Sequence, residues 1–194
     1  MQVNRELGWV TPSSSAELRL TTPRLTLRPV VPRDAEPTAR LVTPDVAANL
    51  STWASPMTAA EASERIVRAR TLFEAGAGVD LAIVSRDRET LLGWIGFARD
   101  GDSARLGYWL GTEFRGRGLM KEAVIAACPA AAAFLDVERV HALVLKGNAP
   151  SIALLAAAGF ELIGEELVHL EVANESRACL RFEWRAAEER NARA

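Results

Sequence analysis

Cysteine, lysine and histidine are scarce in this chain, and the cysteine pattern removes two kinds of stabilised scaffold. Cys128 and Cys179 are the only cysteines; they lie far apart with no Cys-x-x-Cys spacing and no Cys/His cluster. A disulfide framework and a structural zinc site are therefore not expected, and no metal is assigned to the chain. Lysine occurs only as Lys121 and Lys146, and arginine supplies the rest of the 23 basic residues. That bias, with the abundance of alanine, reads as genome composition rather than function. Against 25 acidic residues the net charge is -2, which argues against a dedicated nucleic-acid binder with its strongly basic domain. No apolar run approaches the ~20 residues of a bilayer span. The stretch from Ala130 to Leu135 is short and Asp136 ends it. The start, Met1 to Glu6, lacks the basic and apolar regions of a signal peptide. The expectation is a soluble, cytoplasmic chain with no membrane and no direct nucleic-acid contact.

What is present fits one globular domain. The 194 residues are 49% hydrophobic and 25% charged, close to the globular average and long enough to bury a single large core. Residues 1–18 read as an N-terminal extension, 19–185 as the domain, and 186–194 as a charged tail. Leu25 and Leu27 alternate with polar neighbours, which predicts a half-buried strand. Pro32 with Asp34, and Thr43-Pro44-Asp45, each read as the first turn of a short helix. Thr58-x-x-Glu61 is a capping box opening a longer helix that Gly76 and Gly78 stop. Three strands in a meander follow, over Val79–Ser85, Leu91–Ala98 and Ala104–Leu110. A glycine-rich turn then opens a helix from about Leu119 to Phe134, which Pro129 is expected to kink or end. A strand at Arg139–Leu145, a helix at about Pro150–Ala158, and strands at Glu161–His169 and Arg177–Trp184 complete the order. The pattern is α+β: a mixed, mostly antiparallel sheet of about six to seven strands, flanked by about four helices, with one right-handed parallel crossover.

The strongest local signal runs from Leu106-Gly107-Tyr108-Trp109-Leu110-Gly111 through Arg115-Gly116-Arg117-Gly118-Leu119-Met120-Lys121-Glu122. It reads strand, glycine turn, helix. Glycines let backbone N–H groups turn inward, a helix N-terminus adds partial positive charge, and Arg115, Arg117 and Lys121 add full charges. Those features suit a pyrophosphate; a plain turn before a helix is the competing reading of this stretch alone. Two familiar phosphate motifs are excluded. A P-loop needs Ser or Thr after its lysine, where Glu122 stands, and a dinucleotide fingerprint needs a third glycine, where Lys121 stands.

Downstream, Lys146-Gly147-Asn148-Ala149-Pro150-Ser151 ends a strand and starts a helix that stops at Ala158-Gly159-Phe160. The joint pattern of Arg115-Gly116-x-Gly118, Asn148-x-x-Ser151 and Ala157-x-Gly159-Phe160 resembles the GNAT superfamily of acetyl-CoA-dependent N-acetyltransferases. The opening Thr22-Pro23-Arg24-Leu25-Thr26-Leu27-Arg28 and the Gly107–Leu110 strand resemble its ribosomal-protein N-terminal acetyltransferase (Rim-type) branch. The resemblance spans about residues 20–185. It implies a single GNAT-like domain whose sheet is splayed at the centre.

The resemblance also implies roles. The backbone N–H groups of Arg115, Gly116, Arg117, Gly118, Leu119 and Met120 would hold the CoA pyrophosphate. Backbone around Tyr108, Trp109 and Leu110 would pair with the pantetheine arm and polarise the thioester carbonyl. Asn148 matches a CoA-contacting position, and Ser151 a serine suspected of protonating the leaving thiolate. The chain departs from the wider family at Leu155, where many members carry a tyrosine acid; Met120 also stands where Gly or Ala is usual. Read from the residues alone, Asn148 and Ser151 also suit the start of a helix. Glu113 and Glu122 suit dipole partners or solvated charges, His141 a core or rim position, and Trp53, Met57 and Trp94 core or a substrate-site wall.

The implied reaction is direct attack of a primary amine on acetyl-CoA. At pH 7 an α-amine loses its proton at a cost of about 1 kcal/mol, and a lysine at about 4.6 kcal/mol. Asp100, Asp102, Glu113 and His141 are the candidate bases, and each also suits a plainly structural position. The lack of a strong base favours a low-pKa amine such as a protein N-terminus, or a base that acts through water. A small-molecule amine (antibiotic, polyamine or amino-acid-like) and a non-catalytic CoA-binding sensor are the alternatives. The assembly is expected to be a monomer or homodimer.

Overall fold

The computed structural model describes residues 18–170, 172 and 174–186, together with the backbone of 3–4 and 9–10. The last two pairs form a two-stranded antiparallel ribbon, β1 (Val3–Asn4) with β2 (Trp9–Val10). Leu18, the last residue of the expected extension, is buried and joins the core of the domain, while residues 1–2, 5–8, 11–17 and the tail beyond residue 186 lie outside the described residues.

Eight further strands form one sheet: β3 (Leu20–Thr21), β4 (Leu25–Pro29), β5 (Gly78–Ser85), β6 (Leu91–Asp100), β7 (Ser103–Leu110), β8 (Arg139–Leu145), β9 (Glu161–Leu170) and β10 (Glu175–Arg185). Their spatial order is β3-β4-β5-β6-β7-β8-β10-β9. The sheet exceeds the expected six to seven strands because Leu20–Thr21 pairs with Thr26–Leu27 as a separate edge strand. Pro23, which has no N–H, sits in the turn between the two and breaks what sequence alternation makes look continuous. Among the described residues five α-helices flank the sheet, one more than expected: α1 (Ala35–Leu41), α2 (Pro44–Ala47), α3 (Ala59–Glu74), α4 (Leu119–Leu135) and α5 (Ala149–Ala157). A short 3-10 turn, Pro32–Asp34, leads into α1.

The strand period of two sorts the apolar residues between two cores. On β5, Val79, Leu81 and Ile83 join the cluster under α4 and α5, while Ala82 and Val84 join the cluster under α1, α2 and α3. Both faces of β5 and β6 are covered, which is why their sequences run nearly apolar throughout. Leu25, Leu27, Ile83 and Ile95 have no solvent exposure at all, and each such burial stabilises by about 1.5–3 kcal/mol. The predicted capping box forms at the start of α3: Glu61 N–H donates to Thr58 Oγ1, and Thr58 N–H donates to Glu61 Oε2 at 2.7 Å. Of the two outcomes expected at Pro129, the helix ending is not seen: α4 continues past it to Leu135. Cys128, Ala130 and Ala131 around it are buried, so packing outweighs the roughly 3 kcal/mol a mid-helix proline costs.

The pairing of two central strands positions the site. Every neighbouring pair is antiparallel except β7 with β8, and those two stay in register only over Ser103–Arg105 against Arg139–His141. Beyond that point they part. The closed end is pinned by His141, which is 1% exposed and has Nδ1 3.2 Å from Ser103 Oγ. Burial, then the Arg181 charge, holds this imidazole below its usual range, so it packs as a neutral core residue. Past it, Leu106–Leu110 keeps an edge with no strand partner on the β8 side among the described residues.

Candidate active site

The loop joining β7 to α4 carries the glycine turn. Gly116 and Gly118 have φ of +74° and +71°, the left-handed region where a side chain is strained. Arg115, Gly116, Arg117 and Gly118 are all exposed. Among the described residues no acceptor takes the N–H groups of Gly116, Arg117 or Gly118, and the first turn of α4 adds further unpaired donors. The N–H of Arg115 differs: it donates to Thr112 O at 3.3 Å, and its Nε donates to Leu110 O at 3.2 Å. The free donors therefore begin at Gly116 rather than at Arg115. Leu119 and Met120 both border the groove, and the Met120 side chain, 6% exposed, also packs into the core.

This loop is braced from the other end of the sequence. Glu122 accepts from Thr22 Oγ1 at 2.6 Å, from the Arg24 N–H at 2.9 Å and from Arg24 Nε at 2.7 Å. Arg24 Nη1 also donates to Arg117 O at 2.8 Å. Glu122 is thus a tie between the β3–β4 turn and α4, not a solvated charge. Burial pushes its carboxyl up, but the Thr22 and Arg24 hydrogen bonds together outweigh it and hold the group below the usual carboxylate value. Its contribution is present above the ordinary glutamate range and is lost as pH falls through the lowered value. Glu122→Ala is expected to cost about 1.5–3 kcal/mol of stability. It should also weaken acetyl-CoA binding several-fold, because the loop loses its brace. Urea unfolding and calorimetry on the same variant check both.

Across the split, α5 brings Asn148 and Ser151 to the mouth of the groove. Asn148 caps the helix, its Oδ1 accepting from the Ser151 N–H at 3.3 Å. The Ser151 side chain takes no part in capping: its Oγ lies 2.5 Å from the Tyr108 hydroxyl. Burial pushes the Tyr108 phenol up to about 12, against a smaller opposite pull from Ser151. Such a phenol stays protonated across the neutral range. Ser151 and Leu155 stand four apart and share one face of α5. Leu155, where many GNAT members place tyrosine, is fully buried here, and the phenol beside Ser151 comes from strand β7 instead. The sequence flags Tyr108 only for its backbone.

The two faces of the sheet meet in a cleft of about 1310 Å³ that passes through the split. On the α3 side it is walled by three tryptophans. Trp53 packs edge-on against Trp94 and Trp109, with centroids 5.2 Å apart in each pair. Arg65 lies over the Trp53 ring at 4.3 Å. Trp94 Nε1 donates to Thr38 Oγ1 at 3.0 Å, whereas the buried Trp109 Nε1 has no partner among the described residues. Trp53 and Met57 border the cleft, and Trp94 serves as both core and wall. Asp80, which no sequence motif marks, also borders it. The available signal is an acid inside the apolar run Val79–Val84 of β5. Among the described residues no group of three or more His, Cys, Asp or Glu is arranged to hold a metal ion.

A split mixed sheet, an open backbone edge at the split and a glycine loop at a helix start define a transferase that binds a phosphate-bearing acyl donor. The acetyltransferase (GNAT) domain profile matches residues 24–161, and the chain belongs to that family. It is an acetyl-CoA-dependent N-acetyltransferase. Solved structures agree in fold. The ribosomal-protein-S5-alanine acetyltransferase from Vibrio fischeri superposes with a TM-score of 0.78 at 18% identity, covering 89% of this chain and 98% of that one. Mycobacterium smegmatis RimJ, in complex with CoA-disulfide, gives 0.74 at 23% identity, covering 84% and 83%. The microcin C7 self-immunity acetyltransferase MccE, bound to acetyl-CoA and AMP, gives 0.75 at 18% identity, covering 85% and 94%. No curated protein sequence matches the chain.

Proposed function

We propose that this chain transfers the acetyl group of acetyl-CoA to the α-amine of a protein N-terminus, in the cytoplasm. The observation that carries the reading is the unpartnered β7 edge at Leu106–Leu110, which ends at the exposed donors of Gly116–Gly118. The free donors fit a pyrophosphate and the open edge fits an extended amide-bearing arm, so Tyr108, Trp109 and Leu110 would align the donor by their backbone. Arg117 and Lys121 add positive charge beside the glycines, and Arg115 fixes the loop to the end of β7. Acetyl-CoA supplies the activated acetyl group; the chain holds it, shields it and handles the protons.

Tyr108 and Ser151 act as one unit in this proposal. With the phenol donating to Ser151 Oγ, the serine's own O–H is left to face the sulfur of the departing thiolate. Asn148 fixes the start of α5 and with it the serine. Ser151→Ala and Tyr108→Phe should each lower turnover tenfold or more, within the range for acid–base groups, with acetyl-CoA affinity changed less than twofold. Turnover unchanged across pH in both variants would reduce Ser151 to a helix-start residue.

Three supports favour a protein N-terminus. The fold neighbours include proteins named for ribosomal-protein acetylation. The cleft is open and large, and an α-amine is the amine most readily deprotonated near neutral pH. A specific observation favours a second reading: the Trp53, Trp94 and Trp109 wall suits a flat or apolar small molecule, and MccE was solved with AMP as well as acetyl-CoA. Domain limits of 19–185 agree with either. The deciding experiment is an acceptor screen by mass spectrometry, setting peptides that begin with serine or alanine against polyamines, aminoglycosides and aminoacyl nucleotides. Acetylation of the peptides alone supports the first reading; acetylation of the small amines alone replaces it with the second.

A further inference from the structure

The register of three strands puts one carboxylate on the α3 face of the sheet, bordering the cleft. Asp80 of β5 lies opposite Gly96 of β6, which lies opposite Gly107 of β7. All three therefore face the same side of the sheet. Neither glycine offers a side chain to block the row. A Cβ built on Gly96 would stand 1.9 Å from Asp80 Oδ1, so the carboxylate lies across β6 in the space that glycine leaves free. From there the exposed Gly107, at the lip of the split, is about one strand spacing away, roughly 5 Å. A single bridging water spans such a gap.

The opposite face carries the hydroxyl pair. Tyr108 follows Gly107 and so points to the other side, where it meets Ser151. The split thus has a carboxylate on its α3 face and two hydroxyls on its α5 face, with the open β7 edge between them. A transfer in which a proton leaves the attacking nitrogen on one side and another reaches sulfur on the other needs that arrangement.

We propose that Asp80 is the general base of this enzyme, taking the proton of the incoming ammonium through one water in the row above Gly96 and Gly107. The inference rests on the acetyl-transfer reading above. The ammonium gives one proton to Asp80, and its freed lone pair forms the C–N bond to the acetyl carbon. The C–S bond breaks, the thiolate takes the second nitrogen proton by way of the Ser151 side, and Asp80 returns the first to solvent. The products are the acetamide, CoA thiol and one proton. The surroundings suit the task. Burial pushes the Asp80 carboxyl up to about 6, while the charges of Arg65 and Arg68 on α3 pull it down. Glu61 and Glu64 of α3 and Arg105 of β7 also border the cleft. Among the described residues no donor is bonded to the carboxylate, so its oxygens stay available to water or substrate.

The experiment measures kcat/KM against pH for the wild type, Asp80→Asn and Asp80→Glu, with the peptides and amines of the acceptor screen. Acetyl-CoA affinity and melting temperature are taken on the same samples. The wild type should lose activity below about pH 6. Asp80→Asn should fall a hundredfold or more and lose that inflection, with acetyl-CoA affinity unchanged, and Asp80→Glu should recover part of the rate. A carboxyl raised in the folded protein destabilises it as pH rises from about 4 through 6. Asp80→Asn should therefore melt higher than wild type at pH 7.5 and lose that gain near pH 4. A merely structural aspartate does not give lower turnover with higher stability. Asp80→Asn with turnover within threefold of wild type, or with the inflection retained, overturns Asp80 and leaves the transfer reading standing. A wild type that binds acetyl-CoA yet acetylates none of the acceptors overturns the transfer reading and Asp80 with it.

Discussion

Gly118→Trp is expected to weaken acetyl-CoA binding at least a hundredfold while the fold survives. Gly118 has φ of +71°, and a Cβ placed there would meet only Arg24 Nη2, at 3.6 Å. There is room for a side chain, but the room is the groove itself. An indole would cover the N–H groups of Gly116–Gly118 and occupy the space proposed for the pyrophosphate. The left-handed backbone adds a local cost of about 1–2 kcal/mol for a residue with a side chain, small against a domain's total stability. A hundredfold loss of affinity corresponds to about 2.7 kcal/mol. Calorimetry reads the binding, and a melting curve on the same sample separates blockage from unfolding. Unaltered affinity in a folded variant would remove the phosphate cradle and return this stretch to a structural turn.

The sequence is legible where chemistry is written in local order. The glycine turn, the helix after it and the Asn148–Ser151 start of α5 lie within short windows, and each window has its own backbone requirement. The meander and the crossover follow from period and turn signals in the same way. What stays hidden depends on register between distant strands. Asp80, Gly96 and Gly107 become a row only once β5, β6 and β7 are aligned. The glycines inside two strands are the visible trace, since a strand glycine often marks the close approach of another group. Tyr108 falls on its strand as expected, but which hydroxyl it meets depends on how α5 packs. Glu122 reads as a surface charge because its partners, Thr22 and Arg24, lie about a hundred residues away. Propensity alone makes Pro129 a breaker, and tertiary burial overrides it.

The largest stability effect expected is at Asp34, far from the groove in sequence and coupled to its wall. Arg28 at the end of β4 donates through Nη1 to Asp34 Oδ2 at 2.7 Å and through Nη2 to Oδ1 at 2.8 Å. The Val31 N–H donates to Oδ2 at 2.9 Å. The side chains are 13% and 4% exposed, so neither charge has water to fall back on. Asp34→Ala strands a buried guanidinium and an N–H together, and breaking such a pair costs about 3–5 kcal/mol. For a chain of this size that is a fall of about 6–20 °C in melting temperature. The loss should reach the acceptor side of the cleft before the acetyl-CoA side. Asp34 leads directly into α1, and Thr38 of α1 holds the Trp94 indole, whereas the glycine loop is braced separately by Arg24 and Glu122. Near the melting point KM for the acceptor should rise while acetyl-CoA affinity in the folded fraction holds. The double variant Arg28→Met with Asp34→Leu, which removes both charges and keeps the volume, should recover most of the stability. If the double variant melts as low as Asp34→Ala, the ion pair itself contributes net stability, and the cost assigned here to a stranded charge is too large.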